Sequence, residues 1–296
     1  MNAWIAGARP RTLPAAVVPV LVGTAAAAGM EGIDSGLKGL VVWRFVAALV
    51  VSLALQIGVN YANDYSDGVR GTDDVRVGPM RLVASGTKAP GAVKRAAFLS
   101  FGVAAVAGLA LAAATSWWLI LVGLASIAAA WFYTGGPRPY GYAGFGELFV
   151  FVFFGVVATT GSAFVQIERI TPLTLCASIP VGMLAVALLV VNNLRDIPGD
   201  TESGKRTLAV RLGDRRTRIL YTALMFLPFV ATPFIAGLSG RPIAAFSLFV
   251  VVFVNKPVLQ VLQGAKGPAL IPVLGATGRV QLLYGLAFSI GLFIGG

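Results

Sequence analysis

The sequence predicts an all-α, polytopic membrane protein: nine transmembrane helices around a central cavity, with the N-terminus in the cytoplasm. Three observations carry this. Charged residues are 12% of the 296-residue chain and hydrophobic residues 57%, whereas soluble domains average about 25% charged. Apolar runs of about 20 residues, the length that crosses a bilayer as a helix, recur too often and too evenly for one targeting segment. Basic residues also fall mostly on one side of those runs. A helix pairs every backbone polar group within itself, and the alternation of a lipid-embedded β-barrel is absent, so helices are the spanning element.

The runs, in order, cover roughly 13–30, 41–62, 95–114, 116–134, 145–166, 173–193, 217–237, 243–262 and 277–295. The second ends in Asn60-Tyr-Ala-Asn-Asp64-Tyr-Ser-Asp67-Gly-Val-Arg70-Gly-Thr-Asp73-Asp74. The fifth opens with Glu147, which is costly against lipid and is expected to pair with an inner-side arginine. The sixth contains Cys176, the sole cysteine, so no intramolecular disulfide and no thiolate metal site can form. It ends in a second acidic cluster, Asn192-Asn-Leu-Arg-Asp196-Ile-Pro-Gly-Asp200-Thr-Glu202. Residues 1–296 read as one transmembrane domain, with cytoplasmic cap loops at about 63–94 and 194–216.

Charge sets the orientation. With the N-terminus inside, 19 of the 23 basic residues lie on the inner side and only Lys38, Arg44, Arg169 and Arg241 on the outer. Cytoplasmic loops carry such an excess. The formal charge of +11 therefore needs no nucleic-acid partner. The chain has no histidine, which removes imidazole metal ligands and Ser-His-Asp catalysis. Both acidic clusters then face the cytoplasm, where nucleotides, Mg²⁺ and prenyl diphosphates are found.

The two clusters repeat a pattern. Asn60 precedes Asp64 by four residues and Asn192 precedes Asp196 by four, which places each pair on one helix face. Asp67 and Asp200 each follow about one turn later. If the two helices pack together, four carboxylates and two amides converge on hard-oxygen chemistry suited to Mg²⁺, which takes one or two carboxylates plus phosphate oxygens. A metal-bridged diphosphate is a better leaving group. Asp64, Asp67, Asp196 and Asp200 are the candidate catalytic and metal-holding residues, with Asn60 and Asn192 as neutral ligands or orienting groups. Arg70, Arg76 and Arg81 after the first cluster, and Lys205 and Arg206 after the second, are the candidate diphosphate cradle.

These residues resemble the UbiA superfamily of intramembrane aromatic prenyltransferases. Asn63-Asp64-Tyr-Ser-Asp67 stands where that family carries Asn-Asp-x-x-Asp, and Asp196-Ile-Pro-Gly-Asp200 where it carries Asp-x-x-x-Asp. Further segments resemble the members that prenylate 1,4-dihydroxy-2-naphthoate in menaquinone synthesis. They are Ala8-Arg-Pro-Arg-Thr-Leu-Pro14, Gly78-Pro-Met-Arg-Leu-Val83, Tyr133-Thr-Gly-Gly-Pro-Arg-Pro-Tyr-Gly-Tyr142 and Asn192 to Thr201. Many members place a third aspartate four positions after the second, where this chain has Gly71. That role passes to Asp73 or Asp74, and Asp73 is assigned as a metal residue here.

The resemblance implies an Mg²⁺-dependent enzyme in the cytoplasmic membrane, with polyprenyl diphosphate and 1,4-dihydroxy-2-naphthoate as substrates and diphosphate, CO₂ and demethylmenaquinone as products. Arg138 is then a candidate for the naphthoate carboxylate or a diphosphate oxygen. Tyr65, Tyr133 and Tyr140 are candidates for lining the aromatic pocket, where a π face stabilises a cation. An acceptor such as 4-hydroxybenzoate is the alternative within the family. Two readings outside it fit less well. A CDP-alcohol phosphatidyltransferase begins its signature as Asp64-Tyr-Ser-Asp67-Gly68 does, but its continuation is missing here. A cation-coupled transporter holds its carboxylates near the midplane, whereas these cluster at one surface.

Overall fold

The computed structural model describes residues 2–30, 37–72 and 81–296. Among these, all regular structure is helical and no strand occurs. Each apolar run folds as helix. In order they are α1 (Ala3–Gly7) leading into α2 (Pro14–Ala27), α3 (Val42–Val69), α4 (Pro90–Ala114) and α5 (Trp118–Phe132). A single span then joins α6 (Gly146–Val150), a π-helical turn at Phe151–Val157 and α7 (Ala158–Ile167). After it come α8 (Pro172–Glu202), α9 (Leu208–Leu238), a 3₁₀ stretch at Pro242–Phe253 continued by α10 (Asn255–Leu262), and α11 (Leu270–Gly295).

Six of these helices are long and apolar enough to cross a membrane, and eight if each bent pair, α1 with α2 and the 3₁₀ stretch with α10, is one span. The remaining apolar helix, α5, has 15 residues. At 1.5 Å per residue it reaches about 22 Å, less than the roughly 30 Å hydrocarbon core.

α3 and α8 outrun the apolar segments that predict them. α3 continues to Val69 and α8 to Glu202, because their polar ends turn inward: Asn60, Asn63, Asp64, Ser66, Asp67, Asn193, Arg195 and Asp196 are all buried. The expected caps at 63–94 and 194–216 are correspondingly shorter. All of 194–202 is α8, and α9 begins at Leu208.

The apolar core lies between α2, α8, α9 and α11, filled by Val18, Leu184, Tyr221, Met225, Tyr284 and Phe288. α3 and α4 pack together on the other side, with α5 against both. The π turn meets α8 at Gly155 and Gly182. A methyl group on Gly155 would lie 2.6 Å from the Gly182 Cα, so only glycine lets these backbones touch.

Three of the four bases expected on the outer side close helix ends. Arg44 donates to the carbonyls of Ala114 and Val165, both at 3.0 Å, and pairs with Glu168 at 3.3 Å. Arg241 donates to Ala25, Ala28 and Leu292. Lys38 reaches Phe293, Ile294 and Gly296. Carbonyls at helix C-termini lack intrahelical donors and carry partial negative charge, which cations satisfy.

Candidate active site

Between α3, α5, the 146–167 span and α8 lies a cavity of about 1380 Å³. One end is polar and ends on the two acidic clusters. The rest is walled by apolar side chains such as Leu55, Ile127, Phe149, Phe153, Val157 and Leu188.

The period of α3 decides which residues of the first cluster reach it. Gln56, Asn60, Asn63 and Asp67 recur at the spacing of one helix face and all line the cavity. Asp67 is the hub of this wall. It accepts from Lys205 Nζ at 3.1 Å, from the Tyr142 hydroxyl and from Thr72 Oγ1, and Arg81 stands 3.6 Å from its other oxygen. Tyr142 packs its ring under the cations of Lys205 and Arg70, 4.6 and 5.4 Å away. Burial, and then the Asp67 carboxylate, holds its phenol well above the usual range, so it stays a donor.

On α8, Asn192, Asn193, Asp196 and Asp200 line the opposite wall. Arg195 folds back on its neighbour: Nε and Nη2 each sit 2.7 Å from an oxygen of Asp196, and Nη2 also donates to Asn192 Oδ1 at 2.9 Å. Lys205 ties the two clusters together. Its backbone N–H caps α8 on the Asp200 carbonyl at 2.8 Å while its ammonium reaches Asp67 on α3. Thr207 Oγ1 lies 3.5 Å from Asp200 Oδ2. The 133–142 loop roofs this end and is stitched to the next loop by Arg206 N–H on the Tyr142 carbonyl at 2.9 Å.

Several predicted residues stand elsewhere. Asp64 is fully buried but turned about a quarter-turn off the cavity face. Its carboxylate accepts from the backbone N–H groups of Leu82 and Val83 at 2.9 and 3.0 Å, so it braces the turn that presents Arg81. The same-face pair at the cavity is therefore Asn63 and Asp67. Asn60 does line the cavity, but its amide N–H donates to the Ala8 carbonyl and Thr12 Oγ1. Arg70 clamps the carbonyls of Thr134 and Gly136, and Arg206 and Arg138 are exposed and do not line the cavity. Tyr65 stacks on Trp131 outside it, whereas Tyr133 and Tyr140 line it. Glu147 accepts from Asn193 instead of from an arginine. Asp73 and Arg76 lie outside the described residues.

Four residues that sequence reasoning did not assign line the cavity: Asn63, Asn193, Tyr142 and Arg9. Arg9 sits in the left-handed region at φ 53°, and its buried Nη2 has no hydrogen-bond partner among the described residues. Asn63 and Tyr142 stood inside quoted motifs, but their direction follows only from helix phase and loop path.

Among the described residues, no three carboxylates are gathered closely enough to hold an ion by themselves. The donor set still fits Mg²⁺: Asp67, Asp196 and Asp200 border one cavity with Asn63, and an ion of this kind completes its shell with water and phosphate oxygens.

The chain matches known proteins along its whole length. The UbiA prenyltransferase family pattern covers residues 16–269. The 1,4-dihydroxy-2-naphthoate octaprenyltransferase of Mycobacterium tuberculosis is 49% identical over 99% of this chain and 97% of its own, and that of Escherichia coli is 36% identical over 99% and 96%. Among solved structures, a UbiA homolog from Archaeoglobus fulgidus bound to DMAPP and Mg²⁺ superposes with a TM-score of 0.70 at 16% identity over 99% of both chains. The apo UbiA homolog from Aeropyrum pernix gives 0.70 at 12% identity, covering 95% and 96%. At such identities these two structures establish the fold.

Proposed function

The chain belongs to the UbiA prenyltransferase family, and from that premise we infer that it transfers a polyprenyl group from its diphosphate to 1,4-dihydroxy-2-naphthoate. Diphosphate and CO₂ leave, and demethylmenaquinone forms as its quinol. The observation that carries the reading is one cavity with an apolar body and a mouth bearing Asp67, Asp196, Asp200, Arg81 and Lys205. It sits in a chain 36–49% identical, end to end, to dihydroxynaphthoate prenyltransferases. An amphiphile with a diphosphate head and an isoprenoid tail matches that division.

In this reading Arg81 and Lys205 hold phosphate oxygens by charge-assisted hydrogen bonds. Mg²⁺ held by Asp67, Asp196 and Asp200, with Asn63 beside them, would neutralise charge developing on the departing diphosphate. The apolar walls keep water from the allylic cation while the ring of the acceptor attacks C1 of the prenyl chain. Tyr133, Tyr140 and Phe149 present aromatic faces to that region. Arg9 replaces Arg138 as the base available to the acceptor carboxylate. The roof of the cavity faces the cytoplasm, nine segments span the membrane with α5 as the short one, and the basic asymmetry supports that orientation.

The test is turnover by purified protein in detergent. Radiolabelled polyprenyl diphosphate and Mg²⁺ are supplied with dihydroxynaphthoate, 4-hydroxybenzoate or homogentisate. Prenylated product with dihydroxynaphthoate alone is expected. Preference for hydroxybenzoate would move the chain to another acceptor class, and product formed equally with chelator present would remove the metal.

A further inference from the structure

We propose that Asn193, oriented by Glu147, is the hydrogen-bond acceptor for a ring hydroxyl of the aromatic substrate. The inference rests on the acceptor being a hydroxynaphthoate, as argued above. It comes from a buried carboxylate that the reaction leaves unused.

Glu147 is 7% exposed and stands behind the cavity wall, at the first turn of α6. One oxygen accepts from Asn193 Nδ2 at 3.0 Å, and the other is buried with no partner among the described residues. A carboxylate only accepts hydrogen bonds, so it selects one of the two orientations open to the Asn193 amide. The NH₂ faces Glu147. The carbonyl oxygen Oδ1 is then on the other arm of the amide, and Asn193 itself lines the cavity. This oxygen carries no hydrogen bond among the described residues.

The surroundings say what such an oxygen meets. The α6 start packs on Tyr133 and α8, because a methyl on Gly146 would come within 3.3 Å of the Tyr133 hydroxyl and 3.4 Å of Leu189, one turn before Asn193. Tyr133 continues into an aromatic cluster, 5.5 Å from Tyr140, which stacks on Phe149 at 4.0 Å. On α8, Asn193 shares a face with Asp196 and Asp200, three and seven residues on. A flat ring lying against the aromatic cluster thus has the Asn193 carbonyl oxygen at its edge and the acidic end of the cavity beside it. That arrangement recognises an O–H. Accepting a hydrogen bond from a phenol also enriches the ring in electron density, which favours attack on a cation. Glu147 does not line the cavity, so it acts through Asn193 as a positioning residue.

The test uses the full chain in detergent with Mg²⁺, saturating polyprenyl diphosphate, and three acceptors: 1,4-dihydroxy-2-naphthoate, 1-hydroxy-2-naphthoate and 4-hydroxy-2-naphthoate. Wild type is expected to prefer the dihydroxy acceptor in kcat/KM by about 100-fold or more over one monohydroxy analogue, as sites built around a substrate hydroxyl do. Asn193→Leu and Glu147→Leu should collapse that ratio to below about tenfold, mainly through the acceptor KM, with the diphosphate KM unmoved. Glu147→Gln, whose carbonyl still accepts from Asn193, should restore the ratio. A merely structural role would lower rates on all three acceptors alike. Should Asn193→Leu fail to fold, Asn193→Ser and the Glu147 pair read the same ratio. Turnover with an undiminished ratio in the Asn193 and Glu147→Leu variants overturns the inference alone. Absence of turnover by wild type on every naphthoate overturns the functional reading beneath it.

Discussion

Replacing Asp64 separates two roles that the motif merges. Its carboxylate is fully buried and accepts from two backbone N–H groups, of Leu82 and Val83. Hydrogen bonds to a charged group contribute about 1.5–3 kcal/mol each, and deleting the acceptor strands two buried donors. Asp64→Ala should therefore cost about 3–6 kcal/mol, and Asp64→Asn, which keeps one oxygen, about half of that. The change falls on the turn at 81–83, so Arg81 loses its support. The assay is thermal unfolding in detergent with amide hydrogen exchange at Leu82 and Val83, beside metal binding by the folded fraction. Loss of stability and of protection at these two amides is expected, with metal affinity close to wild type. Asp67→Asn should do the reverse. An Asp64→Ala protein that melts like wild type, keeps both amides protected and no longer binds metal would refute the assignment.

Lys205→Met removes a buried cation 3.1 Å from Asp67; the diphosphate KM should rise about 10–100-fold, matching one lost charge-assisted contact. Arg138→Ala should leave both substrate KM values unchanged, since the side chain is exposed and off the cavity. Arg9→Ala should raise the acceptor KM in steady-state assays. Tyr142→Phe should lower turnover evenly from about pH 6 to 9: a phenol held above its ordinary value of about 10 stays protonated, and able to donate, throughout that window. An alkaline limb that vanishes in this variant would contradict it. Arg241→Ala should lower the melting temperature, as it frees three buried carbonyls.

Much of the architecture was legible because apolar length is a strong signal. Each of the nine runs is helix, and only their ends moved. Those ends are where the structure adds most to the sequence. Closing the second helix near residue 62 made Asn60 and Asp64 look like the working pair. Once α3 runs to Val69 with Asp67 inside it, the phase selects Asn63 and Asp67. Spacing alone picks out Asn192, and only the partners tell the two amides apart: Arg195 donates to Asn192, while Asn193 ties to Glu147. Loop cations carry no directional information in a sequence. Arg70 turned to carbonyls of the 133–136 segment and Arg206 to solvent, while Arg9, which reads as a topology residue, turned inward. Lys38, Arg44 and Arg241 were counted for orientation, and the structure adds that they cap helix ends.

Tyr142 occupies a junction whose effect reaches beyond binding. Its hydroxyl, ring and carbonyl are engaged by two segments: Asp67 on α3, and Lys205 with the Arg206 amide in the connection after α8. The loop above the cavity mouth cannot lift while those three grips persist. A substitution that slackens Tyr142 would therefore loosen the roof from α3 and from the segment after α8 at once.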